Sequence, residues 1–247
     1  MTTAAPLVRR RLERGIAVLT LDSPHNRNAL STGLLKELTD ALDEAAEDRE
    51  VRALVLTHEG STFCSGADLT EGRVRKGPRQ LVALLKRIAA LPKPVVARVD
   101  GHVRAGGLGL LAACDIAVAG AKATFAFTES RLGLAPAVAS VPVLARGDRR
   151  AAARYFLTGE TFTAAEAVRI GLVSAPLEEL DGILDGLRAA SPQGLAAAKE
   201  LTAQPLMERL ANEGPLLARR SARLFGSADA AEGMRAFLER RDPPWAL

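Results

Sequence analysis

Cysteine, aromatic residues and histidine are all scarce in this 247-residue chain, and each scarcity excludes something. Cys64 and Cys114 stand alone, with no CxxC spacing and no histidine placed to share a metal, so a disulfide framework and a structural zinc site are both excluded. Buried, reduced thiols are expected instead. With one Trp, one Tyr and seven Phe, the core must be built of Leu, Val, Ile and Ala, the usual lining of helices packed on sheets. His25, His58 and His102 fall in separate turns, and a structural role is expected for each. No apolar run reaches the ~20 residues of a membrane span, because the stretch from Ala105 is broken by Asp115. The first residues, Met1-Thr-Thr-Ala-Ala-Pro, lack the apolar region of a secretory signal, so a cytoplasmic protein is expected.

Charge is equally uninformative of a polyanionic partner. A net +4 is mild and scattered, whereas a nucleic-acid protein would carry a continuous basic face. The one dense run, Arg73-Val74-Arg75-Lys76 with Arg79, reads as a solvated loop or as a local site for phosphates.

What the chain does have is glycine in two telling places. Arg104-Ala105-Gly106-Gly107-Leu108-Gly109 puts three glycines in four positions at the head of an apolar helix. The pattern suits close packing of two backbones, or a turn that leaves first-turn N–H groups free to meet an anion. Thr62-Phe63-Cys64-Ser65-Gly66-Ala67-Asp68-Leu69 is the second such segment. Each follows a short apolar strand, and α/β proteins commonly bind ligands at strand ends. Two N–H groups converging there, from Ala67 and Gly106, would form an oxyanion hole. No Gly-x-Ser-x-Gly elbow supplies a nucleophile, and Ser65 has no convincing histidine partner. Glu129, after the apolar segment Thr124-Phe125-Ala126-Phe127-Thr128, is the better base: burial would raise its pKa towards the useful range.

The order of elements is strand, strand, helix, repeated with short joins. Residues 7–14 and 15–21 read as a hairpin turned at Glu13-Arg14-Gly15, followed by a helix capped at Ser31 or Thr32 and running to Asp48. Strands are expected over 53–57, 95–99, 116–119 and 124–125, and a helix over 77–90. Beyond Arg149 the patterning is helical: 149–157, 164–170, 177–190, 193–201, 206–224 and 227–241. The expected division is a layered α/β body over residues 1–190 and a helical region over 191–247.

These residues resemble the enoyl-CoA hydratase/isomerase (crotonase) family. The resemblance rests on Cys64-Ser65-Gly66-Ala67-Asp68-Leu69, on Gly101 through Asp115-Ile116, and on Leu157-Thr158-Gly159 with Glu166-Ala167 and Gly171-Leu172-Val173. It implies an α/β fold with a crotonase-like β-β-α spiral core and an all-helical C-terminal region that assembles trimers or pairs of trimers. It implies an acyl-CoA substrate, coenzyme A being part of that substrate, with no separate cofactor, no metal, no nucleic acid and no membrane partner. The thioester carbonyl would sit between the N–H groups of Ala67 and Gly106. CoA would run along Arg27, Ala29, Ser65, Asp68 and Leu69, with Phe237 and Arg240 contacting it, often from a neighbouring subunit.

The departures from the family pattern are informative. Hydratases carry two catalytic glutamates; the second falls on Glu129, but the first falls on Gly109, which offers no side chain. Residues 132–140, Leu-Gly-Leu-Ala-Pro-Ala-Val-Ala-Ser, resemble bacterial hydratases of branched or glutaconyl-type substrates. Arg104 stands where the family is apolar; an acid at a subunit contact or a substrate carboxylate would suit it. The segment 132–140 favours hydration, and the missing glutamate favours Δ3,Δ2-isomerisation by a single proton shuttle. The alternative of another class is a non-catalytic acyl-CoA-binding protein.

Overall fold

The computed structural model describes residues 5–71 and 76–247. Gly72 to Arg75, which hold most of the dense basic run, lie outside the described residues; Lys76 and Arg79 are exposed.

The hairpin forms as its turn chemistry dictates. β1 (Val8–Glu13) and β2 (Ile16–Leu21) pair antiparallel, and Arg14 and Gly15 take positive φ between them. After a 3₁₀ turn at Pro24–Asn26, α1 (Thr32–Glu47) starts where Ser31 Oγ accepts a hydrogen bond from Leu34 N–H. There follow β3 (Ala53–His58), β4 (Thr62–Cys64), α2 (Gly77–Ala90), β5 (Val95–Val99), β6 (His102–Arg104), α3 (Gly106–Ala113), β7 (Ile116–Ala119) and β8 (Thr124–Ala126).

After the hairpin, each strand pair divides its members between two sheets. β3, β5 and β7 enter a six-stranded sheet of order β1-β2-β3-β5-β7-β10; β4, β6 and β8 enter a four-stranded sheet with β9. Here β9 is Phe162–Thr163 and β10 is Ala175–Pro176. The pairs β2·β3, β3·β5, β5·β7, β4·β6 and β6·β8 are all parallel, so the chain advances one step per strand–strand–helix unit. This is the expected spiral.

The central strands are apolar on both faces because both are covered. Leu19, Leu54, Leu56 and Ala97 join the main core with α1, α2 and α3, while Ile16, Val18, Val55 and Val96 meet Leu184 of α7 (Leu180–Ala189). Cys64 and Cys114 are free and buried, and burial pushes both thiols up to about 12.

The second half is helical: α4 (Ser140–Arg146), α5 (Arg149–Thr158), α6 (Ala164–Arg169), α7, α8 (Pro192–Asn212), α9 (Gly214–Phe225) and α10 (Ala228–Glu239). Two boundaries differ from expectation. α4 lies between residues 125 and 149, where the patterning gives no element. The break expected between residues 201 and 206 is absent, for α8 runs through Pro205. A proline denies an N–H only to the carbonyl four residues back, that of Leu201, and Leu201 is exposed, so water can take the lost bond. The real break comes at Glu213, where Gly214-Pro215 starts α9.

α8 is anchored to the body by a buried ion pair. Lys199 Nζ lies 2.7 Å from Asp115 Oδ2 and also donates to the carbonyls of Ile88 and Lys93. Asp115 Oδ2 accepts from Val95 N–H as well, tying the end of α3 to β5 and α8.

Candidate active site

The two glycine segments meet. A Cβ on Gly66 would lie 2.7 Å from Ala105 Cβ and 3.4 Å from Gly106 N, so the turn after β4 rests directly on the start of α3. Only glycine allows that approach, and the φ of +92° at Gly66 also favours it. One position on, a Cβ at Gly107 would strike Cys64 Cβ and O at 2.8 Å. Leu30 N–H donates to Gly66 O at 2.7 Å in an isolated bridge, which fixes the peptide before Ala67. Ala105 holds φ 50°, ψ −124°, a conformation unusual for a residue with a Cβ, and from it α3 departs. Neither the Ala67 nor the Gly106 N–H donates to a protein acceptor among the described residues. Both residues line one cavity of about 330 Å³.

Glu129 opens onto the same cavity from the 3₁₀ helix Thr128–Leu132, which β8 delivers. It is 8% exposed, and its Oε2 has no hydrogen-bond partner. Burial among apolar groups pushes its pKa up to about 7, only partly offset by a hydrogen bond from its own N–H. A carboxyl poised there can both take and return a proton near neutrality.

The last helix buttresses this segment. A Cβ on Gly133 would lie 2.6 Å from Asp229 C, and one on Gly233 would lie 2.6 Å from Leu132 O. Glycine on each side thus seats α10 against the helix that carries Glu129.

The residues expected to form the site separate into two groups. Ser65, Ala67, Asp68, Leu69, Gly106, Glu129 and Phe237 line the cavity together, Phe237 from the same chain. Arg27, Ala29 and Arg240 do not: Arg27 and Arg240 are exposed, each with positive φ, and Ala29 is buried. Asp68 accepts hydrogen bonds from Thr70 N–H, Thr70 Oγ and Asn26 Nδ2, which hold its pKa down against the opposing effect of burial.

The space beside Gly109 is filled. A Cβ there would come within 2.9 Å of Ala139 Cα, so the loop after Glu129 occupies the place of a second carboxylate. Arg104 is half-buried and faces no acid among the described residues. Its guanidinium donates to the Val103 and Thr124 carbonyls and to Thr124 Oγ, and it does not line the cavity. Those bonds stitch β6 to β8.

This fold is shared with known proteins. The chain matches the enoyl-CoA hydratase/isomerase family over residues 11–246. It belongs to that family. A crystallised enoyl-CoA hydratase from Mycobacterium avium superposes on this family member with a TM-score of 0.92 at 47% identity, over 98% of this chain and 100% of the other. A carnitinyl-CoA hydratase from the same organism gives 0.85 at 28% identity, over 98% and 99%. The 2,3-dehydroadipyl-CoA hydratase of Escherichia coli K12 is 33% identical over 94% of this chain and 95% of its own. The crotonase-like spiral is therefore the fold of this enoyl-CoA hydratase/isomerase family member.

Sequence reasoning missed several cavity residues of this family member. Ser221 and Phe225 come from α9, and Leu35 and Leu81 from α1 and α2. The apolar stripes of those helices signal burial, but not that part of the buried face borders a cavity. Asn28 was likewise unsignalled: fully buried, it accepts from Ser23 N–H and donates to the Glu59 and Thr62 carbonyls, holding the 23–30 loop to the strand before Ser65. None of the three histidines lines the cavity. His58 accepts from Asp100 N–H, and His102 bonds Thr124 Oγ. Among the described residues, no cluster of His, Cys, Asp or Glu is arranged to hold a metal ion, and no helix is long and apolar enough to cross a membrane.

Proposed function

We propose that this protein hydrates an enoyl-CoA thioester through an enolate, with Glu129 as the only acid/base side chain. The thioester oxygen would lie between the N–H groups of Ala67 and Gly106. As negative charge develops on that oxygen, each donor contributes about 2.7–4 kcal/mol relative to its removal. Ionised Glu129 takes a proton from water as the water oxygen bonds to C3. The electron pair moves through C2 to the thioester oxygen. Glu129 then returns the proton to C2, and one water has been added with no other donor needed.

The observation that carries this reading is the solitary buried carboxyl, poised near neutrality, on the same cavity wall as two amides without acceptors. The hydratase names of similar proteins support it. Ser65, Asp68, Leu69 and Phe237 would flank the CoA portion, Arg27 and Arg240 would meet it outside the cavity, and the helices from residue 191 on would assemble trimers or pairs of trimers.

One observation favours a second reading. The space beside Gly109 is closed by Ala139, so no carboxylate can assist the water from that position. Δ3,Δ2-isomerisation needs only one base to move a proton between C4 and C2. Incubation with crotonyl-CoA, 3-methylglutaconyl-CoA and 3-hexenoyl-CoA separates the two. Water addition to either of the first pair supports hydration. Conversion of 3-hexenoyl-CoA to the 2-enoyl isomer, with no hydration of the others, supports isomerisation. Stable binding of all three without solvent deuterium entering at C2 or C4 would mean a carrier.

A further inference from the structure

The part of the cavity wall built by α1, α2 and α9 is apolar, with Leu35, Pro78, Leu81 and Phe225, apart from two residues: Thr32, whose hydroxyl donates to Glu71, and Ser221. Ser221 stands one helical turn before Phe225 on α9, lines the cavity, and is only 8% exposed. It falls in an apolar stripe, one turn after the fully buried Ala218.

A serine inside a helix ordinarily quiets its hydroxyl by bonding the carbonyl four residues back. Thr39 does so to Leu35 O at 2.7 Å, and Thr158 to Arg154 O at 2.9 Å. Ser221 makes no such bond and no protein group meets its hydroxyl among the described residues, so the oxygen stands open to the cavity. In the free cavity water can bond that hydroxyl, so the cost of leaving it unpaired arises only when a ligand displaces the water. A plain hydrocarbon lying against it incurs that cost, and a ligand oxygen there does not.

We propose that Ser221 determines specificity in the acyl pocket, selecting thioesters whose chain carries a neutral oxygen, hydroxyl or carbonyl, towards its far end. The proposal rests on the reading that this cavity takes the acyl chain. A terminal carboxylate fits less well. Asp68 and Glu71 already stand in the wall, and the cation on it among the described residues, Arg131, is exposed and donates to the Thr158 carbonyl. A hydroxyl or carbonyl accepts or donates one bond to Ser221 without bringing charge into an apolar wall.

Saturated thioesters test this without turnover. Titration calorimetry would compare hexanoyl- and octanoyl-CoA with 6-hydroxyhexanoyl-, 8-hydroxyoctanoyl-, 5-oxohexanoyl- and 7-oxooctanoyl-CoA. At least one oxygenated ester should bind about tenfold more tightly than its plain counterpart, the size expected of one hydrogen bond to an otherwise unpaired group. Ser221→Ala should erase that difference, and Ser221→Thr should keep part of it. Equal binding of plain and oxygenated chains overturns the proposal alone, as does a preference that survives Ser221→Ala. Failure of every ester to bind overturns it together with the acyl-CoA reading.

Discussion

Gly109 and Ala139 are packed backbone against backbone, close enough that a Cβ on the glycine would stand 2.9 Å from the Cα opposite. The loop that follows Glu129 is therefore seated on α3 through the one position where hydratases carry a carboxylate. Restoring that carboxylate should harm the protein. Gly109→Ala is expected to cost about 1–3 kcal/mol through overpacking, and Gly109→Glu more, with no gain in crotonyl-CoA hydration. Thermal denaturation and a hydration assay check both. A Gly109→Glu protein of unchanged Tm and faster hydration would show that the loop yields freely.

The proposed mechanism makes Glu129 the group that sets the pH dependence of activity. Because burial raises its pKa to about 7, the active ionised form should appear near neutrality. The acid limb of kcat/KM should bend near pH 7, not near the 4.5 of an ordinary glutamate. Glu129→Gln should lower turnover by about 10²–10⁴-fold with little change in CoA-ester affinity. Full activity in that variant would exclude the mechanism.

The same carboxyl affects stability. Its folded pKa lies above its unfolded one, so the contribution of its neutral form is fully present below about pH 4.5 and is lost as pH rises through about 7. Glu129→Gln, which cannot ionise, should become more stable relative to the parent between those limits, by on the order of 3 kcal/mol. Urea titrations at pH 4.5 and pH 8 measure this; equal differences at both would place the carboxyl in contact with water.

The course of the chain was legible where local chemistry decides it. Arg14-Gly15 turns the hairpin, Ser31 caps α1, and the glycines at 66 and 106–107 permit the contact that brings Ala67 and Gly106 onto one cavity wall. Glu129 was found because an acid follows an aromatic strand. What could not be read depends on residues distant in the chain. The break expected between residues 201 and 206 does not occur, because Pro205 denies a donor only to the carbonyl of an exposed residue. Nothing near Gly109 in sequence says that Ala139 will fill its space. Nor does Arg104 announce that its partners are carbonyls of its own sheet rather than an acid.

Lys199 and Asp115 make a further test. Both are nearly sealed from water, and removing the lysine leaves a buried carboxylate without its counter-charge. Lys199→Ala should destabilise the protein by about 3–5 kcal/mol. Lys199→Met with Asp115→Asn should recover much of the loss. Hydrogen exchange along α8 would follow the anchor directly, and unchanged protection in Lys199→Ala would show that α8 is held by its apolar contacts alone.

The glycine pair at 133 and 233 bears on how the protein comes into being. One half of that contact is made late in synthesis, and Phe237 on the cavity wall later still. A chain emerging from the ribosome can complete its sheets long before it can finish the chamber around Glu129. Nascent and trimmed forms that end before α10 therefore carry every strand of both sheets while lacking the Phe237 side of that chamber and the buttress behind Glu129.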